Sequence, residues 1–220
     1  MKRKATTYAQ VSEAIGAHIT RDELLRTLAA GDEAVSMSSF SGLELAGVDA
    51  GDTTFEELVF HDCTFEDVDF SRSTFANVRF IGCRFITCTM SRCWLNRVDF
   101  CGCSAPGLSV LKSRLTGVSL SDCQLRYADF SEATIKGLRA SFTVLAESSW
   151  HASNLSDARF ADCDLTRAEF FRTRLAGIDL STCEIAGLVL SSDFHELRGC
   201  IIDPEQAVDL VGMLGVKIKE

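Results

Sequence analysis

The sequence has no long apolar run and little histidine, and each shortage removes a class of function. No stretch approaches the roughly 20 apolar residues that a membrane-spanning helix needs. Met1-Lys2-Arg3-Lys4 is a basic start, but the residues after it, ATTYAQVSEAIGAHIT, are broken by polar side chains and offer no apolar export core. The chain is therefore expected to be cytoplasmic and free of the membrane, with its ten cysteines as reduced thiols rather than a disulfide framework. His18, His61, His151 and His195 are scattered, so no base, nucleophile and orienting group come together. Glycine-rich phosphate loops are missing too. No catalytic residue, cofactor or resident metal is expected.

What is present is a period. In VDFSRSTFANVRFIGCRF, residues 68–85, Phe70, Phe75, Phe80 and Phe85 stand five apart, which fits neither the 3.6-residue helix nor the two-residue strand. Multiples of five stay large and apolar from Phe40 to Leu190, with only Ala50, Ala105 and Ala140 small. Two residues before each centre runs a smaller series that includes Leu58, Cys63, Val68, Ser73, Val78 and Cys83. If the centre and the residue two before it point inward, the residue between them points outward, and the next two turn a corner. Four such sides close a square coil of 20 residues. Cys63, Cys83, Cys103 and Cys123 recur at that interval, as do Phe40, Phe60, Phe80 and Phe100. Coils stacked ~4.8 Å apart would align these residues as ladders inside a solenoid. The glycines Gly42, Gly47, Gly82, Gly117, Gly137, Gly177 and Gly187 all fall on corners.

Units such as Ala128-Asp129-Phe130-Ser131-Glu132 and Cys163-Asp164-Leu165-Thr166-Arg167 resemble the A-(D/N)-L-x-x motif of pentapeptide-repeat proteins. The resemblance implies an all-β fold, a right-handed quadrilateral β-helix. At 20 residues per coil, residues 38–192 make nearly eight coils, ~37 Å long. Residues 1–37 are expected to form an N-terminal capping segment. Thr20-Arg21-Asp22-Glu23 is a capping box there, Leu24, Leu25 and Leu28 give an apolar stripe, and Gly31 ends the helix. Residues 193–220 are expected to form a second cap. Asp203, Pro204 and Gln206 start its helix, Gly215 ends it, and Val216-Lys217-Ile218-Lys219 reads as a short last strand. The strongest sites for an irregular coil are Ala105-Pro106-Gly107 and the stretch 140–150, where Phe142 and Val144 fall outward.

A closing helix and strand after the repeats resemble the Qnr and MfpA type of quinolone-resistance proteins. That implies a homodimer joined at the C-terminus, with DNA gyrase or topoisomerase IV as partner and no direct binding of nucleic acid. The apolar residues available for the joint are Ala207, Leu210, Val211, Leu214, Val216 and Ile218. The resemblance also implies DNA mimicry by outward carboxylates. Net charge is −9, distributed in bands. Residues 41–71 hold Glu44, Asp49, Asp52, Glu56, Glu57, Asp62, Glu66, Asp67 and Asp69 with no lysine or arginine. Residues 72–139 are net positive, and acidic residues return after 140 with Asp157, Asp162, Asp164 and Asp179 among them. These carboxylates are the candidate partner-binding residues. Two other readings stay open: a generic repeat scaffold for another protein, and a thiol-rich metal or redox protein. Against the last, a tetrahedral site needs four convergent ligands, no histidine shares the cysteine register, and Cys is a small apolar filler where other units place Val or Ala.

Overall fold

The computed structural model describes residues 7–12, 14–31, 34–213 and 215–217. Its strands pair in parallel with residues 20 positions away. β1 (Ala34–Ser41) pairs with β3 (Thr54–His61), and the series continues through β5 (Thr74–Ile81), β7 (Trp94–Cys101), β8 (Arg114–Ser121) and β9 (Thr134–Ser141). Each of these strands covers two sides of a coil. The third side carries β2 (Glu44–Ala46), β4 (Thr64–Glu66) and β6 (Arg84–Ile86). The fourth is held by single bridges from Asp49↔Asp69 to Glu169↔Val189. The result is a parallel β-solenoid. Its eight-residue strand occurs in six consecutive turns. That makes about six turns where the sequence suggested nearly eight; beyond them the short strands β10 (Asn154–Ser156) and β11 (Arg159–Ala161) and isolated bridges carry the pairing on.

The five-residue period is the core of this solenoid. Phe40, Phe60, Phe80 and Phe100 stack face to face with centroids 5.2, 5.1 and 4.9 Å apart, and Phe55 stacks on Phe75 at 4.7 Å. Around each turn the rings meet edge to face, as Phe65 and Phe70 do at 5.5 Å and 78°. Both arrangements suit the ring quadrupole, and each buried Phe contributes about 1.5–3 kcal/mol of hydrophobic stabilisation. Higher up, Trp150 sits between Phe130 and Phe170, and its indole N–H donates to the Ser148 hydroxyl at 2.8 Å.

The residue two before each centre is more than filler. Cys83, Ser113 and Ser153 donate to the backbone carbonyls of Phe60, Met90 and Phe130 in the coil below, at 3.3, 2.8 and 2.6 Å. A small side chain with one donor fits this position, so cysteine, serine and threonine alternate there with Val and Ala.

Corners use the left-handed region even without glycine. Asp62, Arg72 and Tyr127 have φ of 50°, 64° and 63°, alongside Gly82 at 64°. An L-residue there costs roughly 1 kcal/mol. It is offset by the N–H it aims at the next coil, from Asp62 to Ile81 at 2.8 Å and from Arg72 to Ser91 at 2.9 Å.

Neither expected irregularity occurs. Ala105 is fully buried, Ser104 bridges both Arg84 and Gln124, and Val144 bridges both Gln124 and Asp164. A small centre, a proline and a glycine fit an ordinary side and corner, because Pro106 and Gly107 form the turn and Gly107 takes φ of 70°. Phe142 also takes a corner, at φ of 51°.

At the N-terminus α1 (Arg21–Ala30) has its capping box of Thr20 and Glu23, buries Leu24 and Leu28, and stops at Gly31 with φ of 80°. At the other end α2 (Pro204–Met213) starts at Asp203, whose carboxylate accepts the Gln206 N–H while Gln206 accepts the Asp203 N–H. The Gln206 amide then reaches the Leu180 and Cys183 carbonyls, fastening the helix to the end of the rod. Val216 and Lys217 do not form a strand; Ile218 and Lys219, like Leu214, lie outside the described residues.

Candidate interaction surfaces

The acidic block is a collar. Glu44 lies on the third side and Asp49 and Asp69 on the fourth, while Glu56 and Glu57 fall on the corner after the first side, Asp62 after the second, Glu66 and Asp67 after the third, and Asp52 after the fourth. All nine are exposed. Only Asp49 and Asp69 occupy neighbouring rungs of one column, which then runs Thr89, Ser109, Asp129, Ser149 and Glu169. A 20-residue coil wraps any cluster of nine charges around the rod, so adjacency in sequence becomes circumference. Asp157, Asp162 and Asp179 are likewise exposed and Asp164 is half-buried, and these four also divide among three sides.

Several of these carboxylates have local partners. Asp49, Asp69, Asp164 and Asp179 accept the N–H two residues on, at 2.8–2.9 Å, which holds the corner. Asp52 accepts a bidentate bond from Arg72, and Asp157 one from Arg139. The guanidinium beside each holds its carboxyl below the ordinary value.

A segment that sequence reasoning treated only as part of a cap proves to be a strap. Residues 7–12 run along the rod over the sides carrying β5, β7 and β8. The Asp99 carboxylate, 2% exposed, accepts the Tyr8 and Ala9 N–H groups at 2.9 and 3.1 Å and the Ser119 hydroxyl at 2.6 Å. Asn77 accepts the Gln10 N–H and the Arg97 side chain. The Tyr8 ring lies over Gly117, where an added Cβ would come within 3.2 Å of it. No signal in the sequence marks it: Asp99 stands at an outward position like the exposed carboxylates, and only the fold buries it.

The histidines remain apart, but His195 joins Asp193 and Glu196 in one group whose ligand-type atoms lie within 4.8 Å of one another. Those atoms are engaged: His195 Nδ1 meets Asp193 and the Ser191 hydroxyl at 2.8 Å, and Glu196 accepts the Arg172 and Ser191 N–H groups. The group closes the turn that ends the rod.

The thiols are sealed in the core. Eight cysteines are buried, and Cys101 and Cys200 are partly exposed. Burial pushes the Cys93 thiol up to about 12 and the Cys200 thiol up to about 11. Ellman's reagent is therefore expected to react slowly and only with Cys101 and Cys200 in the native protein, and with all ten after guanidinium is added. Rapid native reaction of the buried set would show that the ladder opens and would revive a redox reading.

Of the residues considered for a C-terminal joint, Ala207, Leu210 and Val211 are half-buried and Val216 is exposed. Val208, which the sequence reading passed over, is 51% exposed beside them. No helix among the described residues is long and apolar enough to cross a membrane.

A filled rod with charged sides and a tight apolar core defines a repeat-solenoid scaffold. The chain belongs to the pentapeptide-repeat family: residues 73–150 match the pentapeptide repeat region and residues 151–184 match pentapeptide repeats (8 copies). No curated protein matches the sequence. Among solved structures it is similar to trypsin-treated QnrB1, a plasmid-mediated fluoroquinolone resistance protein, with 23% identity over 83% of this chain and 100% of that one and a TM-score of 0.48. It is also similar to HetL, a protein involved in heterocyst differentiation regulation from the cyanobacterium Nostoc, with 16% identity over 84% of this chain and 98% of that one and a TM-score of 0.48.

Proposed function

We propose that this chain is a non-enzymatic protein that binds a type II topoisomerase, DNA gyrase or topoisomerase IV, where DNA would lie, and so protects it from quinolones. The observation that carries the reading is the collar of nine exposed carboxylates on residues 41–71, a segment with no lysine or arginine. Such a concentration of one sign draws a cationic DNA-binding surface towards it. Membership of the repeat family and the fluoroquinolone-resistance role named for QnrB1 support the choice of partner. The exposed apolar side chains Val208 and Val216, at 51% and 52%, support a homodimer joined at the C-terminus.

Gyrase supercoiling in the presence of ciprofloxacin, with and without this protein, is the direct test. Reversing charges separately in the 41–71 block and at Asp162, Asp164 and Asp179 then shows which band makes contact. A charge-driven contact weakens as salt rises. If the parent protein leaves quinolone inhibition unchanged and does not bind gyrase, the reading falls and a scaffold for another protein partner remains.

A further inference from the structure

The ladder that binds coil to coil parts at one place. Elsewhere on the rod the N–H of a side's central residue bonds a carbonyl of the coil ahead, 19 positions on for Phe85 with Ser104, Ala105 with Gln124 and Leu165 with Glu184, at 2.7–2.8 Å, and 21 positions on for Leu175 with Glu196 and Leu180 with Ile201, at 2.9 and 2.8 Å. Among the described residues, Leu155 and Phe160 make no such bond. Their strands, β10 and β11, pair back onto β9 and form the end of the large sheet. At the corners, Asp157 lacks the forward bond to a carbonyl, and the Asp162 N–H turns to the Thr182 hydroxyl at 3.1 Å. The other two sides of the same coils stay joined through Asp164↔Glu184 and Glu169↔Val189. The coils therefore diverge as a wedge, open on the first and second sides. Leu155 is the one central residue between Val35 and Ile185 that is not buried.

A groove of about 580 Å³ occupies the opening, with Leu155 and Ile178 among its apolar walls. It runs into a second of about 390 Å³, which shares Leu155 and Ala176 with it. Arg159, Arg172 and Arg174 border the two, all exposed and making no ion pair among the described residues. Two carboxylates also line the first groove: Asp157 is paired with Arg139 at 2.9 Å, and Asp179, bonded by the Ser181 N–H and hydroxyl, makes no ion pair among the described residues, so the three arginines stand against one carboxylate without an arginine partner.

We propose that this wedge is a docking site for an extended acidic peptide of a partner protein, which adds as a strand to the open edge of β10 and β11. Main-chain pairing supplies the attachment, with the Leu155 and Phe160 N–H groups as donors. The apolar seat at Leu155 and Ile178 takes one aliphatic side chain of the peptide, and the three arginines meet carboxylates on either side of it. The site stands apart from the collar of residues 41–71 but shares Asp157 and Asp179 with the second acidic band, and it does not depend on the topoisomerase reading.

The test is fluorescence anisotropy of the full chain with a labelled seven-residue peptide of alternating Glu and Val. Saturable binding is expected, weakened about tenfold or more by Arg174→Glu and by N-methylation of alternate peptide bonds. Ala176→Phe, at an exposed position, is expected to fill the groove and abolish binding while circular dichroism stays that of the parent. Absence of saturable binding to the parent protein, or binding indifferent to both N-methylation and Arg174→Glu, would overturn the proposal. So would tighter binding of an oligothymidine strand that is itself lost in Arg174→Glu, which assigns the groove to nucleic acid.

Discussion

Replacing Phe80 by aspartate is expected to leave no folded rod. Phe80 is 1% exposed and lies between Phe60 and Phe100 in the stack, with Phe85 at 5.3 Å edge-on. Losing the ring costs about 3–5 kcal/mol, and an unpaired carboxylate among aromatic rings adds several more. A domain has roughly 5–15 kcal/mol of stability in total, so the change exceeds what the fold can absorb. Solubility on expression and the strand signal in circular dichroism read the outcome. Asp67→Asn is the control, because Asp67 is exposed on a corner at φ of 51°, a conformation asparagine also tolerates, and a change of at most about 0.5 kcal/mol is expected. Equal melting of Phe80→Asp and parent would overturn the inward register.

Glu196→Ala is expected to loosen the C-terminal end of the rod by about 3 kcal/mol, since each buried donor left without an acceptor costs about 1–3 kcal/mol. The Glu196 side chain is fully buried, and its oxygens accept the Arg172 N–H at 2.9 Å, the Ser191 N–H at 3.3 Å and the Ser191 hydroxyl at 2.8 Å. Its own carbonyl accepts the Leu175 N–H, so the last turn is tied to the coil below at two levels. Amide hydrogen exchange should accelerate at Arg172, Leu175 and Ser191 while β3 and β5 stay protected. Uniform protection equal to the parent would contradict this role.

The same site sets an acid limit. Burial pushes the Glu196 carboxyl up, but the N–H groups of Arg172 and Ser191 and the Ser191 hydroxyl outweigh it and hold the group below its ordinary value. Asp193, bonded by His195 and Ser191, is held at about 2. A carboxyl whose folded value is depressed stabilises the fold above its unfolded value, about 3.9–4.3, and loses that contribution as pH falls through the folded one. The C-terminal end of the parent should therefore loosen between about pH 4 and 2, and Glu196→Ala should lack the part of that step owed to Glu196.

Much of the fold was legible because a five-residue period leaves one arrangement of inward and outward positions. The Phe ladders, the glycine corners and both helix caps follow from side-chain type and spacing alone. The left-handed φ at Arg72 and Tyr127 did not, because nothing in those residue types announces it; the coil imposes it and the inter-coil hydrogen bond stabilises it. The charge bands were legible as sequence, yet a line of carboxylates and a collar have the same composition.

The sequence by itself determined that this chain is a stacked coil of five-residue sides, with its core, its ladders of cysteine and phenylalanine, and the acidic character of residues 41–71, since those depend only on periodicity. Tertiary structure decided three things that periodicity cannot carry. The strap of residues 7–12 reaches Asp99, some 90 positions away, through contacts that no local pattern records. Glu196 takes one of its donors, the Arg172 N–H, from a neighbouring coil 24 positions away. The register of five continues unbroken across residues 155–178, yet the two coils part there, because spacing along the chain sets which residues face inward while hydrogen bonding between coils sets whether they close on one another.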